Sequence, residues 1–169
     1  HLKGLGCFKN KPLGYIEDGI LNTSREYAVQ PKDTGGEIQL LPILETFFDG
    51  LFEKGEEKEL VLDYMSYSLF ASSHLPVSLV LYSKKGTGKG TVIQFLRQIV
   101  GEYNAGELGV DGIPKFNDTA IDGKALLCCD EVTINSTVQN KRLGRMIRQS
   151  QRMINPKGVK PYPFSSPAC

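Results

Sequence analysis

The chain has no tryptophan, two histidines and four cysteines among its 169 residues. Cys7, Cys128, Cys129 and Cys169 show no C-x-x-C spacing. Neither a zinc site nor a disulfide framework is therefore expected, and the thiols read as reduced. No run approaches the roughly 18 consecutive apolar residues of a membrane helix; the longest candidates are Pro76–Tyr82 and Ala125–Cys129. A charged-then-apolar leader is missing too, which points to the cytoplasm. Acidic residues are absent from one whole stretch: Val132 to Cys169 holds seven Lys and Arg and no Asp or Glu.

What is present suits a folded chain. Apolar residues make up 40% and charged residues 23%, enough to bury a core. The length fits one domain with a small lead-in. The net charge of +1 hides an asymmetry, because the first 82 residues carry 7 basic and 12 acidic side chains. A basic C-terminal third implies contact with a polyanion. The chain starts at His1 rather than Met and reads as an excised fragment.

Residues 1–38 are rich in turn-formers and show no sustained period, so loops with a short strand or two are expected there. Leu40, Ile43, Leu44, Phe47, Phe48 and Leu51 then recur at helical steps, with Pro42 suited to a first turn. Glu56-Glu57 open a second helix, with Leu60, Val61, Tyr64 and Tyr67 as its expected buried face. The division follows: a lead-in over 1–75 and an α/β core over 76–169.

Within that core, Val77–Tyr82 reads as a strand, a glycine loop follows, and Val92, Ile93, Leu96, Ile99 and Val100 mark a helix stopped by Gly101. Ser83-Lys84-Lys85-Gly86-Thr87-Gly88-Lys89-Gly90-Thr91 compares with G-x-x-x-x-G-K-[ST]. Gly88 and Lys89 fit it. Ser83 replaces the first glycine, and Gly90 stands where a magnesium-binding hydroxyl normally sits. Small residues let backbone amides converge on phosphate oxygens, and a helix start adds partial positive charge. Lys89 would reach the β- and γ-phosphates of ATP, and Thr91 would assist Mg²⁺ directly or through water. Alone, G-T-G-K-G could be an ordinary turn; the flanking strand and helix supply the context the motif demands.

Ala125–Cys129 is a continuous apolar run ending in Asp130-Glu131, as for a strand buried on both faces of a parallel sheet. Carboxylates at such a strand end lie where α/β sheets bind ligands. Asp130 would hold the metal through water and Glu131 would orient and deprotonate the attacking water. Alone, the pair could equally be a solvated strand end.

Lys141, Arg145, Arg148 and Arg152 share one helix face, with Leu143, Met146 and Ile147 opposite. Beyond them, residues 152–164 read as two short strands around Asn155-Pro156-Lys157-Gly158, with Lys157 and Lys160 at or near an exposed tip. Such cations would contact phosphates, giving salt-dependent affinity without base specificity. The bland alternative is a solvated helix face and a mobile hairpin.

These motifs together resemble those of superfamily 3 helicases of viruses and plasmids, and most of all the helicase domain of NrS-type phage primase-polymerases. The likeness rests on Gly86 to Thr91, Phe116-Asn117, Leu126 to Glu131, and Leu143 to Tyr162, with Ile20 to Thr23 and the helices up to Phe70 similar to the lead-in. It implies a partial P-loop NTPase fold of AAA+ type, with a parallel sheet flanked by helices. It further implies an ATP-Mg²⁺-driven helicase or translocase acting on single-stranded or forked DNA, a hexameric ring when intact, and the cytoplasm of a phage host. By the same resemblance, Asn155–Lys160 is the hairpin that tracks DNA, and a sensor strand and arginine finger follow beyond Cys169. The fragment alone is then expected to bind nucleotide weakly and not to turn it over. Two other classes stay open: a nucleoside monophosphate kinase, whose loop is similar to G-x-G-K-G-T, and a non-hydrolysing nucleic-acid-binding module.

Overall fold

The computed structural model describes residues 2–32, 35, 41–52, 54–71, 74–108, 122–129, 137–156 and 158–165. Three short strands open the chain: β1 (Gly4–Gly6), β2 (Ile16–Glu17) and β3 (Ile20–Asn22). Helices α1 (Pro42–Leu51), α2 (Gly55–Phe70) and α3 (Lys89–Val100) follow. Strands β4 (Ala105–Leu108) and β5 (Leu126–Cys129), helix α4 (Thr137–Arg148), and strands β6 (Gln151–Ile154) and β7 (Tyr162–Ser165) complete a mixed α/β fold.

Local chemistry accounts for the helix ends. Pro42 begins α1, where its missing N–H is not needed. Glu56 and Glu57 sit in the first turn of α2, opposite the partial positive charge there. Gly101, at φ +83°, closes α3 by donating its N–H to the Arg97 carbonyl at 2.8 Å. Arg145 and Arg148 occupy the last turn of α4, where cations suit the carbonyl end.

The strands form two sheets. One has five strands in the order β2-β3-β1-β7-β6; the other pairs β4 with β5 in parallel. Ala105 faces Leu126, and Leu108 faces Cys129. In the larger sheet β1 runs parallel to both β3 and β7, whereas β2–β3 and β6–β7 are antiparallel. It is therefore a mixed sheet, and the lead-in strands share it with the C-terminal hairpin.

One core joins these elements. Phe48 of α1, Val61, Met65 and Leu69 of α2, and Val92, Leu96 and Val100 of α3 are buried with Cys7, Ala105, Ala125, Ile154 and Phe164. Phe48 packs edge-on against Phe95, with ring centroids 6.4 Å apart.

Four expectations change. Val77–Tyr82 alternates as a strand should, with Leu79 and Leu81 packed on the core and Val80 and Tyr82 exposed, but it joins neither sheet of the described residues. Of the face expected for α2, Val61 is buried and Tyr64 half-buried, but Leu60, 71% exposed, and Tyr67 face outward; Met65 and Leu69 complete the buried stripe with Val61. Residues 105–108 form a strand inside a stretch that carried no strand signal. Finally, α4 stops at Arg148, and Arg152 lies in β6 opposite Phe164. Pairing with β7 and burial of Ile154 claim residues 151–154 for the sheet.

Candidate functional site

The glycine loop runs from the end of the 77–82 segment into α3. Gly86 and Gly88 adopt φ of +83° and +98°, a left-handed backbone that side chains with a Cβ resist. Gly88 caps α3, so it brings no side-chain acceptor to the helix start, and the first turn holds no acidic residue. The Thr91 and Val92 amides donate to the Gly88 carbonyl at 3.0 and 3.2 Å, which leaves those of Lys89 and Gly90, among the described residues, to a partner from outside the helix. A Cβ on Gly90 would meet nothing within 4 Å, so the helix start opens onto free space.

The loop is braced from two sides. Lys89 folds over it, donating from Nζ to the Ser83 carbonyl at 3.0 Å, the Ser83 hydroxyl at 2.9 Å and the Lys84 carbonyl at 2.8 Å. The Ser83 and Thr87 hydroxyls bond to each other, and Thr87 also donates to the Lys84 carbonyl at 3.1 Å. Ser83, which stands in place of the motif's first glycine, thereby pins the loop with its side chain. On the other side Phe47 and Leu51 of α1 back Gly88. Thr91 lies exposed on the first turn.

Strand β5 meets α3 at this end. Gly90, Ile93, Gln94 and Arg97 of α3 line a hollow of about 90 Å³ together with Glu107 of β4 and Cys128 of β5. Arg97 crosses its wall, ion-paired to Glu102 at 2.5 Å and Glu107 at 2.9 Å. Burial pushes the Cys128 thiol up to about 11, Arg97 acting in the opposite sense. Cys129 is raised by burial as well. Both are therefore neutral, apolar fillers at neutral pH. Asp130 and Glu131, and Phe116-Asn117, lie outside the described residues.

The basic residues occupy a separate region. Lys141, Arg145 and Arg148 are exposed along α4 and make no ion pair among the described residues. The Arg148 guanidinium lies back over Gly144, where an added Cβ would stand 3.0 Å from its nitrogen. Lys160 is exposed on the connection between β6 and β7, where Gly158 turns the chain at φ +77°. Lys157 lies outside the described residues.

Two residues that hold this arrangement were given no role by the sequence. Buried Asn104, just past α3, donates to the Arg25, Glu26 and Val100 carbonyls and accepts from the Arg25 amide at 2.8 Å. Buried Asn22 does the same for the lead-in, bonding Lys11, Pro12, Ser24 and Phe8. A lone Asn gives no periodic signal, so only the fold reveals the role of either.

No curated protein matches the chain. Among solved structures, the apo form of the NrS-1 C terminal region superposes with a TM-score of 0.73 at 19% identity. A further form of that region gives 0.70 at the same identity. Each match covers 95% of this chain, so the fold is shared nearly throughout. The chain spans only 40% and 39% of the lengths of those two structures. Residues 81–169, which include the glycine loop, β5, α4 and the hairpin, match the family described as "Family of unknown function (DUF5906)". The chain belongs to that family.

Proposed function

We propose that the chain is the nucleotide-binding part of an ATP-dependent DNA helicase or translocase of phage-type replication, built on a P-loop core. The observation that carries this reading is the hollow shared by Gly90 and Cys128. The residue after Lys89 and the strand that leads into Asp130-Glu131 meet at one place.

The residues suit a polyphosphate. The start of α3, which has no side-chain cap, the open space beside Gly90 and the Lys89 ammonium held over the loop offer donors, and the carboxylate that lines the adjoining hollow, Glu107, is ion-paired to Arg97. Residues 86–91 would hold ATP, with Lys89 exchanging its loop carbonyls for phosphate oxygens. Thr91 and Asp130 would hold Mg²⁺, whose positive charge would stabilise the transferring phosphoryl group. Glu131 would orient water and take its proton. Lys160, Lys157, Arg145 and Arg148 would contact the DNA backbone, in a protein that assembles as a hexameric ring when intact.

Titration with a fluorescent ATP analogue tests the nucleotide half. The chain should bind it weakly in the presence of Mg²⁺, and Lys89→Ala should lower affinity at least tenfold. In the longer protein this reading implies, Glu131→Gln should retain binding and abolish turnover. Equal binding by Lys89→Ala and the unaltered chain would sink the proposal.

A further inference from the structure

No ladder joins the two sheets among the described residues; side-chain bonds link their flanks, Tyr103 and Asn104 before β4 reaching Thr23 and Arg25 after β3, and a further one ties β7 to the approach of β5. Tyr162, the first residue of β7, donates its hydroxyl to Oδ2 of Asp122 at 2.5 Å. Asp122 lies four residues before β5. Its other oxygen, Oδ1, is shielded from solvent and has no hydrogen-bond partner among the described residues. Asp122 as a whole is half-buried, so the bond is made where the approach to β5 meets the hairpin rather than in the core.

The neighbouring chain is wedged. Gly123 takes φ +68°, and a Cβ there would stand 2.9 Å from the Thr23 carbonyl, next to β3. Lys124 donates to the Tyr103 carbonyl at 2.5 Å, and the Ala125 amide donates to the Asn104 carbonyl at 2.8 Å. The approach to β5 therefore has little slack, and a shift at Asp122 passes along the strand. At the other end, Tyr162 sits two positions after Lys160, at the base of the β6–β7 connection.

We propose that Tyr162 is a positioning residue whose hydroxyl bond to Asp122 ties the base of the hairpin to the approach of β5. A displacement of either end is passed to the other. Its use rests on the functional reading above, since β5 leads to Asp130-Glu131 and the hairpin carries Lys160. Burial, and then the bond to Asp122, push the Tyr162 hydroxyl up to about 12. The donor therefore keeps its proton throughout the neutral range.

Hydrogen exchange on the whole chain, with and without a single-stranded oligonucleotide, tests the link. In the unaltered chain, oligonucleotide should alter exchange both at 151–165 and at 126–129. Tyr162→Phe, which removes only the hydroxyl, should confine the change to 151–165. It should leave oligonucleotide affinity within about twofold, an outcome a purely structural loss would not give. Where ATP and oligonucleotide alter each other's affinity, the two factors must be equal by linkage, and both should fall toward one in Tyr162→Phe. Asp122→Asn, which keeps an acceptor for the hydroxyl, should behave as the unaltered chain. Transmission that survives Tyr162→Phe, or is lost in Asp122→Asn, overturns the assignment. If the chain binds neither ligand, the functional reading fails separately. The link is then judged without ligand: Tyr162→Phe must raise exchange at 126–129 about tenfold while leaving α2 unchanged, and equal exchange overturns it.

Discussion

Leu51, the last residue of α1, closes the space beside Gly88: a Cβ added to Gly88 would stand 3.0 Å from its Cδ2 and 3.4 Å from Cε2 of Phe47. The loop geometry is thus fixed twice, by its own left-handed backbone and by a helix from the lead-in. Gly86 has the same handedness with no atom within 4 Å of the added Cβ. The two glycines separate the backbone cost from the packing cost. Gly86→Ala should lose about 1 kcal/mol from left-handed strain. Gly88→Ala should lose roughly 2 kcal/mol or more, since strain and contact add. Urea unfolding of both variants measures the difference, and equal losses would mean that α1 does not support the loop.

Asn104 offers a test of the hidden framework. Alanine there strips one acceptor and two donors from a buried site that holds four backbone groups. The expected loss is about 3 kcal/mol, within the range for stranded buried polar groups. An aspartate side chain is nearly the same size but sets a carboxylate against three carbonyl oxygens. Asn104→Asp should therefore fall below Asn104→Ala in thermal stability. The reverse order would show that the amide donors contribute nothing.

How far the sequence reveals this molecule depends on whether the signal is periodic. Val92, Leu96 and Val100 mark one stripe, and α3 buries that stripe. In α2, by contrast, Leu60, Val61, Leu62, Tyr64 and Met65 spread apolar surface around the helix. Period alone then cannot choose the face, and packing against α1 and into the common core decides it. Strands β1–β3 are two or three residues long, too short for any alternation to register. β1 pairs not only with β3 but with β7, Leu5 facing Phe164 at the far end of the chain, and local pattern holds no trace of such pairing. At the site the glycine spacing is legible because each glycine answers a local backbone demand. The Tyr162–Asp122 bond is not, because it depends on how two sheets meet.

Alkaline pH should weaken the fold in a defined window. The Cys128 thiol is raised from 9.0 to about 11, mainly by burial, and Tyr162 from 10.0 to about 12. The folded chain therefore holds protons that the unfolded chain releases first, and stability falls as pH rises. The contribution of Cys128 is intact below pH 9 and lost by about 11; that of Tyr162 disappears between 10 and 12. Denaturation midpoints should be lower at about pH 10 than at about pH 8, roughly one unit either side of the thiol's ordinary 9.0, and Cys128→Ala should flatten the slope. Alkylation near pH 8.5 should be slower at Cys128 than at a free thiol by on the order of a hundredfold, because only the thiolate reacts. Mass spectrometry of the peptide containing it gives the rate.

The last prediction concerns α4. Lys141, Arg145 and Arg148 are exposed without ion pairs among the described residues, so replacing them should cost little stability and act on the ligand alone. If each meets one phosphate of single-stranded DNA, every substitution to Ala should reduce the slope of log affinity against log salt by about 0.7. Sequence preference should not change, since phosphate contacts carry no base information. Gly144 adds a control from the same helix. Alanine is the better helix former by about 1 kcal/mol, so Gly144→Ala should raise stability. Its Cβ would also stand 3.0 Å from the Arg148 guanidinium and drive that side chain off the helix surface. A more stable protein with altered DNA affinity would place Arg148 at the interface. Three charge removals with an unchanged salt slope would show that this helix face meets no nucleic acid.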